Sequence, residues 1–414
     1  MSDSRSFLSI IGPGVLLFAA GVGAGDLLTA SMAGSDVGLV VVWAAVVGTI
    51  LKWTLSEGIA RWQMGTGRSM LEGWVRHAPW FAWIFFAYFI LWTFVVAGAL
   101  VNACGIAATA FLQIGTESES KVVWGVIHSL VAMLLVWKGD YDRFETIMKY
   151  VIGVKFMIVV LTAALIVAAE PGVILGGIFA PKMPSGIGGW SRFLGVLGGV
   201  GGTVTMLSYG YWIREAGRSG ADGLRASRKD LTISYAGTAL FGAAMVIIGS
   251  RIVVTGEGAR VGVQLAGELG AALGSEWKWV FLVGFWATVF ASLVAVWDGV
   301  PYLFADFMRA RRQPVHREEE AIADLHRSRG YRWYLVGIGT LPLVLLLRPV
   351  KEIQLVYATL GAWLMPVLAA ALLVMNSGRI GLVAPEFRNR WGIRTLLLLT
   401  IALFVYLAIA GIRE

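Results

Sequence analysis

The sequence predicts an all-α polytopic membrane protein, built as two inverted repeats of five spans with an eleventh span added. Three observations predict it. Hydrophobic residues make up 57% of the 414-residue chain and charged residues only 14%, with a mean hydropathy of +0.74. A soluble domain carries about 25% charged residues, so this chain has too little charge to cover a water-facing surface and lipid is its solvent. Apolar windows of about 20 residues, the length that crosses the hydrocarbon layer, recur eleven times. Two of them, the first and the sixth, are interrupted by central glycines, which is the trace expected of broken helices at matching positions of an inverted repeat.

Span one, at about 9–33, opens with Gly12-Pro13-Gly14 and contains Gly21-Val22-Gly23-Ala24-Gly25-Asp26. An isolated ionised Asp is costly in hydrocarbon, and Gly-Ala-Gly lets a helix unwind, so the pair points to a discontinuous helix built around a site. Spans two to five, at about 37–57, 80–112, 122–138 and 144–169, complete a first repeat over about 9–169. Span six, at about 190–213, runs Gly195-Val196-Leu197-Gly198-Gly199-Val200-Gly201-Gly202-Thr203-Val204-Thr205-Met206-Leu207-Ser208-Tyr209. Spans seven to ten, at about 232–254, 276–308, 332–348 and 353–375, complete the second repeat over about 190–375, and span eleven covers about 393–412. Glycines also permit close helix packing in any membrane bundle; the matched pair five spans apart is what favours a site. The chain, 1–414, reads as one membrane domain.

Of the 34 Lys and Arg, 23 fall on one side of the spans when the amino terminus is placed in the cytoplasm, nine fall outside, and Lys52 and Lys155 lie within spans. That bias follows the positive-inside rule, assigns a cytoplasmic amino terminus and an external carboxyl terminus, and explains the net charge of +8 without a nucleic-acid partner. The segment between spans eight and nine, with Arg317-Glu318-Glu319-Glu320, reads as a solvated loop. The single Cys104 forms no intrachain disulfide and reads as a small core residue. Met1–Ser6 lack the basic region and cleavage site of a signal peptide, so span one is expected to be kept. Trp80, Trp190, Trp277 and Trp333 near span ends read as interfacial anchors. The expected partners are membrane lipid and a transported ion or solute, with no bound cofactor and a monomeric state.

The chain resembles the Nramp divalent-metal transporters over most of its length. Those proteins open with Gly-Pro-Gly and, eight residues later, carry Asp-Pro-Gly-Asn at the break of helix one; here Gly12-Pro13-Gly14 is followed in the same register by Gly23-Ala24-Gly25-Asp26. Thr29, Ala33-Gly34, Trp43, Arg61 and Thr66-Gly67 look like the positions that follow in the family. Its sixth helix has Gly-Ala-Thr-Val followed by Met-Pro-His, and this chain has Gly201-Gly202-Thr203-Val204 followed by Thr205-Met206-Leu207. The resemblance implies a LeuT-type fold with helices one and six unwound. It also identifies a divergent branch that lacks both motifs and is similar to the Nramp-related magnesium transporters.

The departures set the expected chemistry. Gly23 stands where the family's metal-ligating, proton-handling Asp would be, Thr205 where its Met would be, and Leu207 where its His would be. A thioether selects soft transition metals by polarizability and a hydroxyl does not. The remaining set is Asp26, Thr203, Thr205, Ser208, Tyr209 and unwound carbonyls, with Asp26 and Thr205 as the metal-facing pair. Such oxygen ligands suit a hard divalent cation, most plausibly a partly hydrated magnesium, moved without the family's proton coupling.

Lys52, Glu57 and Asp298 are the further candidates for coupling or the pathway. Lys52 is expected either to pair with Glu57 or Asp26 or to act as a built-in cation. Asp306 is a weaker candidate near Pro301, and His128 and Lys155 read as packing residues. A transporter of an amino acid or similar zwitterion on the same fold is the alternative, since helix amino termini at the breaks hold carboxylates and Lys52 suits one. A passive channel fits paired broken helices poorly. An enzyme is not expected, because the four His show no metal-ligand spacing.

Overall fold

A computed structural model describes residues 13–14, 17–18, 24–138, 141–179, 189–251, 263–264, 266–267, 270, 274–312, 325–378 and 383–412. Among these residues all regular structure is helical. The first repeat comprises α1 (Ala24–Val37), α2 (Val42–Thr66), a short α3 (Met70–His77), α4 (Pro79–Thr109), α5 (Glu117–Lys138), α6 (Tyr141–Ala169) and α7 (Pro171–Ile178). The second comprises α8 (Gly189–Gly199), a 3-10 turn at Val204–Ser208, α9 (Tyr209–Glu215), α10 (Gly220–Gly249), α11 (Ser275–Arg312), α12 (Arg329–Thr340) and α13 (Val350–Met375). The eleventh span is α14 (Trp391–Ile412).

Eight helices of the described residues are long and apolar enough to cross a membrane singly. α6 and α7 form a further, bent pair, with α7 turning away by 110°. The sixth span falls outside that set because it is not one long helix, as its glycine cluster predicts; much of the first span lies outside the described residues. The chain is a multi-pass membrane protein.

Local signals place the ends. Gly67 closes α2 in the left-handed region, at φ 70°, its N–H donating to Gln63 O. Ser69 then caps α3, accepting from the Glu72 N–H at 3.1 Å, and Ser69-x-x-Glu72 has the spacing of a capping box. Pro79 starts α4 at the one place where its missing donor costs nothing. Pro301 lies inside α11 without ending it. α12 instead passes into a 3-10 stretch, Leu341–Leu347, where Pro342 removes a donor from the α-helical ladder. Span seven begins twelve residues earlier than the hydropathy window placed it. α10 starts at Gly220, so Arg228 and Asp230 are helical residues facing neighbours rather than loop charges.

Packing around the centre depends on small residues. α1 and α10 cross through a reciprocal pair: a Cβ on Gly34 would fall inside the Val246 carbonyl oxygen, and one on Gly249 inside the Ser31 carbonyl oxygen. α8 is held between α1, α2 and α13 in the same way. A Cβ on Gly198 would lie 2.7 Å from Ala362 Cβ, one on Gly48 would lie 3.2 Å from Leu197 O, and one on Gly199 would lie 2.9 Å from Thr29 Oγ1. Backbones this close gain dispersion that lipid cannot supply. Exposed Trp80, Trp277 and Trp333 lie near helix ends, as interfacial anchors do; the Trp190 side chain lies outside the described set.

Gly249→Leu forces α1 and α10 apart at a backbone contact and is expected to destabilise the protein by about 1–3 kcal/mol or more, the usual cost of overpacking. Thermal unfolding in detergent checks this, with Gly153→Leu, whose Cβ meets nothing within 4 Å, as the neutral control.

Candidate functional site

The sixth span stops being a helix at mid-sequence. α8 ends at Gly199, Gly201 and Gly202 take φ values of 92° and 79°, and Thr203 has φ −132° and ψ −108° before the 3-10 turn begins. Those positive φ values favour glycine, so the two glycines are what permit the break. The break leaves the last carbonyls of α8 without helical partners in a place water does not reach, which is costly unless a donor is supplied.

Lys52 supplies it. Its side chain, 1% exposed, reaches from α2 so that Nζ donates to Gly198 O at 2.8 Å and Val200 O at 2.5 Å. A cation at a helix carboxyl terminus also meets the negative end of the macrodipole. Gly201 is small where Lys52 passes: a Cβ there would lie 3.3 Å from Lys52 Cδ and 3.4 Å from the Tyr235 ring. The expected Lys52–Glu57 pair does not form. Five residues apart on one helix, the two side chains point about 140° apart, whereas Arg61, at i+4 from Glu57, shares its face.

Thr203 and Thr205 lie at the break itself. Thr203, 1% exposed, has no hydrogen-bond partner for Oγ1 among the described residues, and its methyl packs where Gly361 of α13 leaves room. Thr205 is half-buried while the adjacent Met206 and Leu207 are buried, so of this trio the hydroxyl is the more accessible. Ser208 and Tyr209 turn elsewhere. Ser208 faces Gly299 of α11, and the Tyr209 hydroxyl donates to Ser227 O of α10 at 3.4 Å. Gly23 lies outside the described residues, as does the Asp26 side chain. Asp26 is the third residue of α1 and sits three before Thr29, the residue against Gly199. No three His, Cys, Asp or Glu lie close enough together to hold a metal ion among the described residues.

Glu57 belongs to a different structure, a buried ionic network at one end of the bundle. Its two oxygens accept from Arg61 Nε at 2.7 Å and from Arg228 Nη2 at 2.7 Å, and Arg61 Nη1 donates on to Phe387 O at 3.2 Å. Asp306, 0% exposed, accepts from Ser69 Oγ at 2.7 Å, Tyr211 OH at 2.6 Å and Arg309 Nη2 at 2.8 Å. Asp230 accepts from the Gly14 N–H at 2.7 Å and from Arg218 Nη1 at 2.8 Å, while Ser234 Oγ donates to Gly14 O at 2.6 Å. A Cβ on Gly14 would collide with the Asp230 carboxylate, which accounts for a glycine there. These contacts tie α2 to α10, the cap of α3 and α9 to α11, and the start of the first span to α10.

The two α11 aspartates stand in different surroundings. Asp306 is enclosed and bridges helices, whereas Asp298 is 30% exposed at its side chain, accepts from Tyr331 OH at 3.2 Å and lies 3.4 Å from His326 Nε2. His128 is a packing residue: Trp286 Nε1 donates to its Nε2 at 2.8 Å, leaving the Nδ1 proton for Trp124 O at 2.7 Å. Lys155, 1% exposed, places its ammonium over the Phe241 and Phe285 rings at 5.5 and 5.7 Å. Sequence reasoning missed Arg228, Asp230 and Tyr211. Charged residues spaced at helical intervals just before span seven were the available signal, hidden because the apolar window starts after them.

The natural resistance-associated macrophage protein-like (Nramp) family model matches residues 14–414. The chain belongs to the Nramp family. Members of that family are transporters rather than enzymes. An uncharacterized protein of Pasteurella multocida is 20% identical over 271 residues, covering 64% of this chain and 60% of that protein. Among solved structures, a manganese transporter of Eremococcus coleocola superposes with a TM-score of 0.75 at 16% identity, covering 98% of this chain and 87% of that one. MhsT, solved in complex with L-phenylalanine, superposes with a TM-score of 0.64 at 14% identity over 98% of this chain and 99% of that one. At these identities the structures establish the LeuT-type fold.

Two substitutions test the energetics of this Nramp-family centre. Lys52→Met leaves the Gly198 and Val200 carbonyls buried without a donor and is expected to cost about 1–3 kcal/mol. Glu57→Gln strands Arg61 and Arg228 and is expected to cost more, about 3–5 kcal/mol. Denaturant or thermal unfolding in micelles reads both, and a neutral Glu57→Gln would mean that the network contributes no stability.

Proposed function

We propose that this protein moves a divalent cation across the membrane by alternating access, that the cation is hard and partly hydrated, magnesium-like, and that transport runs without proton coupling. The observation that carries the reading is the broken sixth span, which presents Thr203, an accessible Thr205 and unwound backbone around a lysine ammonium already in place. Asp26 supplies the carboxylate, Thr205 a hydroxyl, and water the rest of the shell, since magnesium gives up its waters reluctantly. Thr205 offers no polarizable sulfur, so soft metals gain nothing over hard ones. Lys52 holds a permanent charge where the carbonyls of the broken helix would otherwise attract a mobile cation, and so takes the place of a coupling ion. In this reading the protein works as a monomer, the arginine-rich network faces the cytoplasm together with the amino terminus, and cation enters from the opposite side.

The zwitterion reading is kept by one observation. The Lys52 ammonium next to the break favours a carboxylate as readily as it replaces a coupling ion, and helix amino termini in broken spans hold such groups.

Purified protein in liposomes, with a divalent-sensitive dye and a pH dye inside, separates the readings. Magnesium and manganese are expected to enter and to compete at similar concentrations, with no internal acidification. Asp26→Ala is expected to reduce flux to background in protein that still folds, and Thr205→Met to shift preference toward manganese and cadmium. Acidification that tracks flux would refute uncoupled transport, and manganese entry indifferent to excess magnesium would refute the hard-cation site. Entry of a zwitterionic solute with neither metal moving would replace this reading by the alternative.

A further inference from the structure

The molecule carries a second recess, remote from the break. A cavity of about 620 Å³ opens between α4, α11 and α12, and its walls are apolar, with Phe304 and Met308 from α11 and Trp333 from α12 among them. Two cations, Arg312 at the end of α11 and Arg329 at the start of α12, stand at one margin, both exposed. Neither takes part in the buried ionic contacts, whose arginines on α2, α10 and α11 are Arg61, Arg228 and Arg309. Trp333 is 75% exposed, among the most exposed large apolar side chains described, and sits one turn from Arg329. Gly337, a turn further on, meets nothing within 4 Å of its Cβ position, so the groove is open there.

The geometry points to a binding site for one anionic phospholipid, with an acyl chain in the groove and the headgroup phosphate between Arg312 and Arg329. The argument is charge complementarity joined to position. A groove on the outside of a membrane bundle is filled by lipid tails in any case, and tails alone carry no preference. A pair of arginines at the level of an exposed Trp adds one, because guanidinium groups hold phosphate oxygens in a forked geometry and basic pockets between membrane helices retain anionic headgroups. The volume suits a single chain and not a bilayer-sized patch. The walls belong to α4, α11 and α12, so a lipid seated there would contact the helix that carries Asp306 without touching the break of span six.

Native mass spectrometry of the full-length protein, exchanged from micelles containing equal phosphatidylglycerol and phosphatidylcholine, tests it. One retained phosphatidylglycerol per chain is expected, and retention of it is expected to weaken by about 30-fold in the Arg312→Gln/Arg329→Gln double variant. Gly337→Phe fills the groove from an open position and is expected to reduce retention of both lipids, leaving the arginines intact. Equal retention of the two lipids by the wild-type protein, unchanged phosphatidylglycerol binding in the double variant, or displacement by millimolar inorganic phosphate would each overturn the proposal. The readout is bound mass, so it stands or falls independently of what the protein transports.

Discussion

A helix that stops in the middle of a membrane leaves carbonyls that neither water nor lipid can satisfy, and in this protein the Lys52 ammonium takes two of them. Each half of that interaction is unfavourable alone. A buried ammonium is costly to desolvate, and orphaned carbonyls cost about 1–3 kcal/mol each. Together they remove both penalties and tie α2 to the end of α8. The glycines follow from this contact: Gly201 and Gly202 permit the turn, and Gly201 leaves the space through which Lys52 passes. The same contact sets the electrostatics of the site, since any ion or solute that enters meets a fixed positive charge partly offset by the dipole of α8.

The other end of the bundle is organised by the opposite arrangement, with carboxylates at the centre and arginines around them. Glu57, Asp230 and Asp306 each accept from two or three donors, at least one of them from another element, so that each of these buried carboxylates is compensated. Removing one partner from such a group leaves a buried charge without compensation, so the contacts hold the helices together as a set. The small-residue crossings of α1 with α10 and of α8 with α13 bring these backbones into direct contact.

The arrangement also explains why chemistry and scaffold can separate in one family. The break needs only residues that adopt positive φ and a donor for the freed carbonyls, and both are present although the Asp-Pro-Gly-Asn and Met-Pro-His motifs are not.

Much of this molecule is legible in its sequence. The all-helical membrane character, the helices that cross singly and the place of the break in span six follow from local properties: apolar length, glycine clusters, and proline or serine at helix ends. Those properties act over one helix and need no partner to be read. The partners of the charged residues were not legible. Lys52 could be seen to be buried and in need of compensation, but carbonyls do not show in a sequence, and Gly198 O and Val200 O, not Glu57, accept from it. Asp306 and Asp298 look alike on one helix, and the arrival of Ser69 and Tyr211 from other elements separates them. Arg228 and Asp230 fell outside the apolar window, because hydropathy marks where a helix meets lipid and not where it begins. The sequence by itself determined where the chain crosses and where it breaks, and the tertiary structure decided which charge answers which, since in a medium without water that choice is made by whatever donor or acceptor packing brings within about 3 Å.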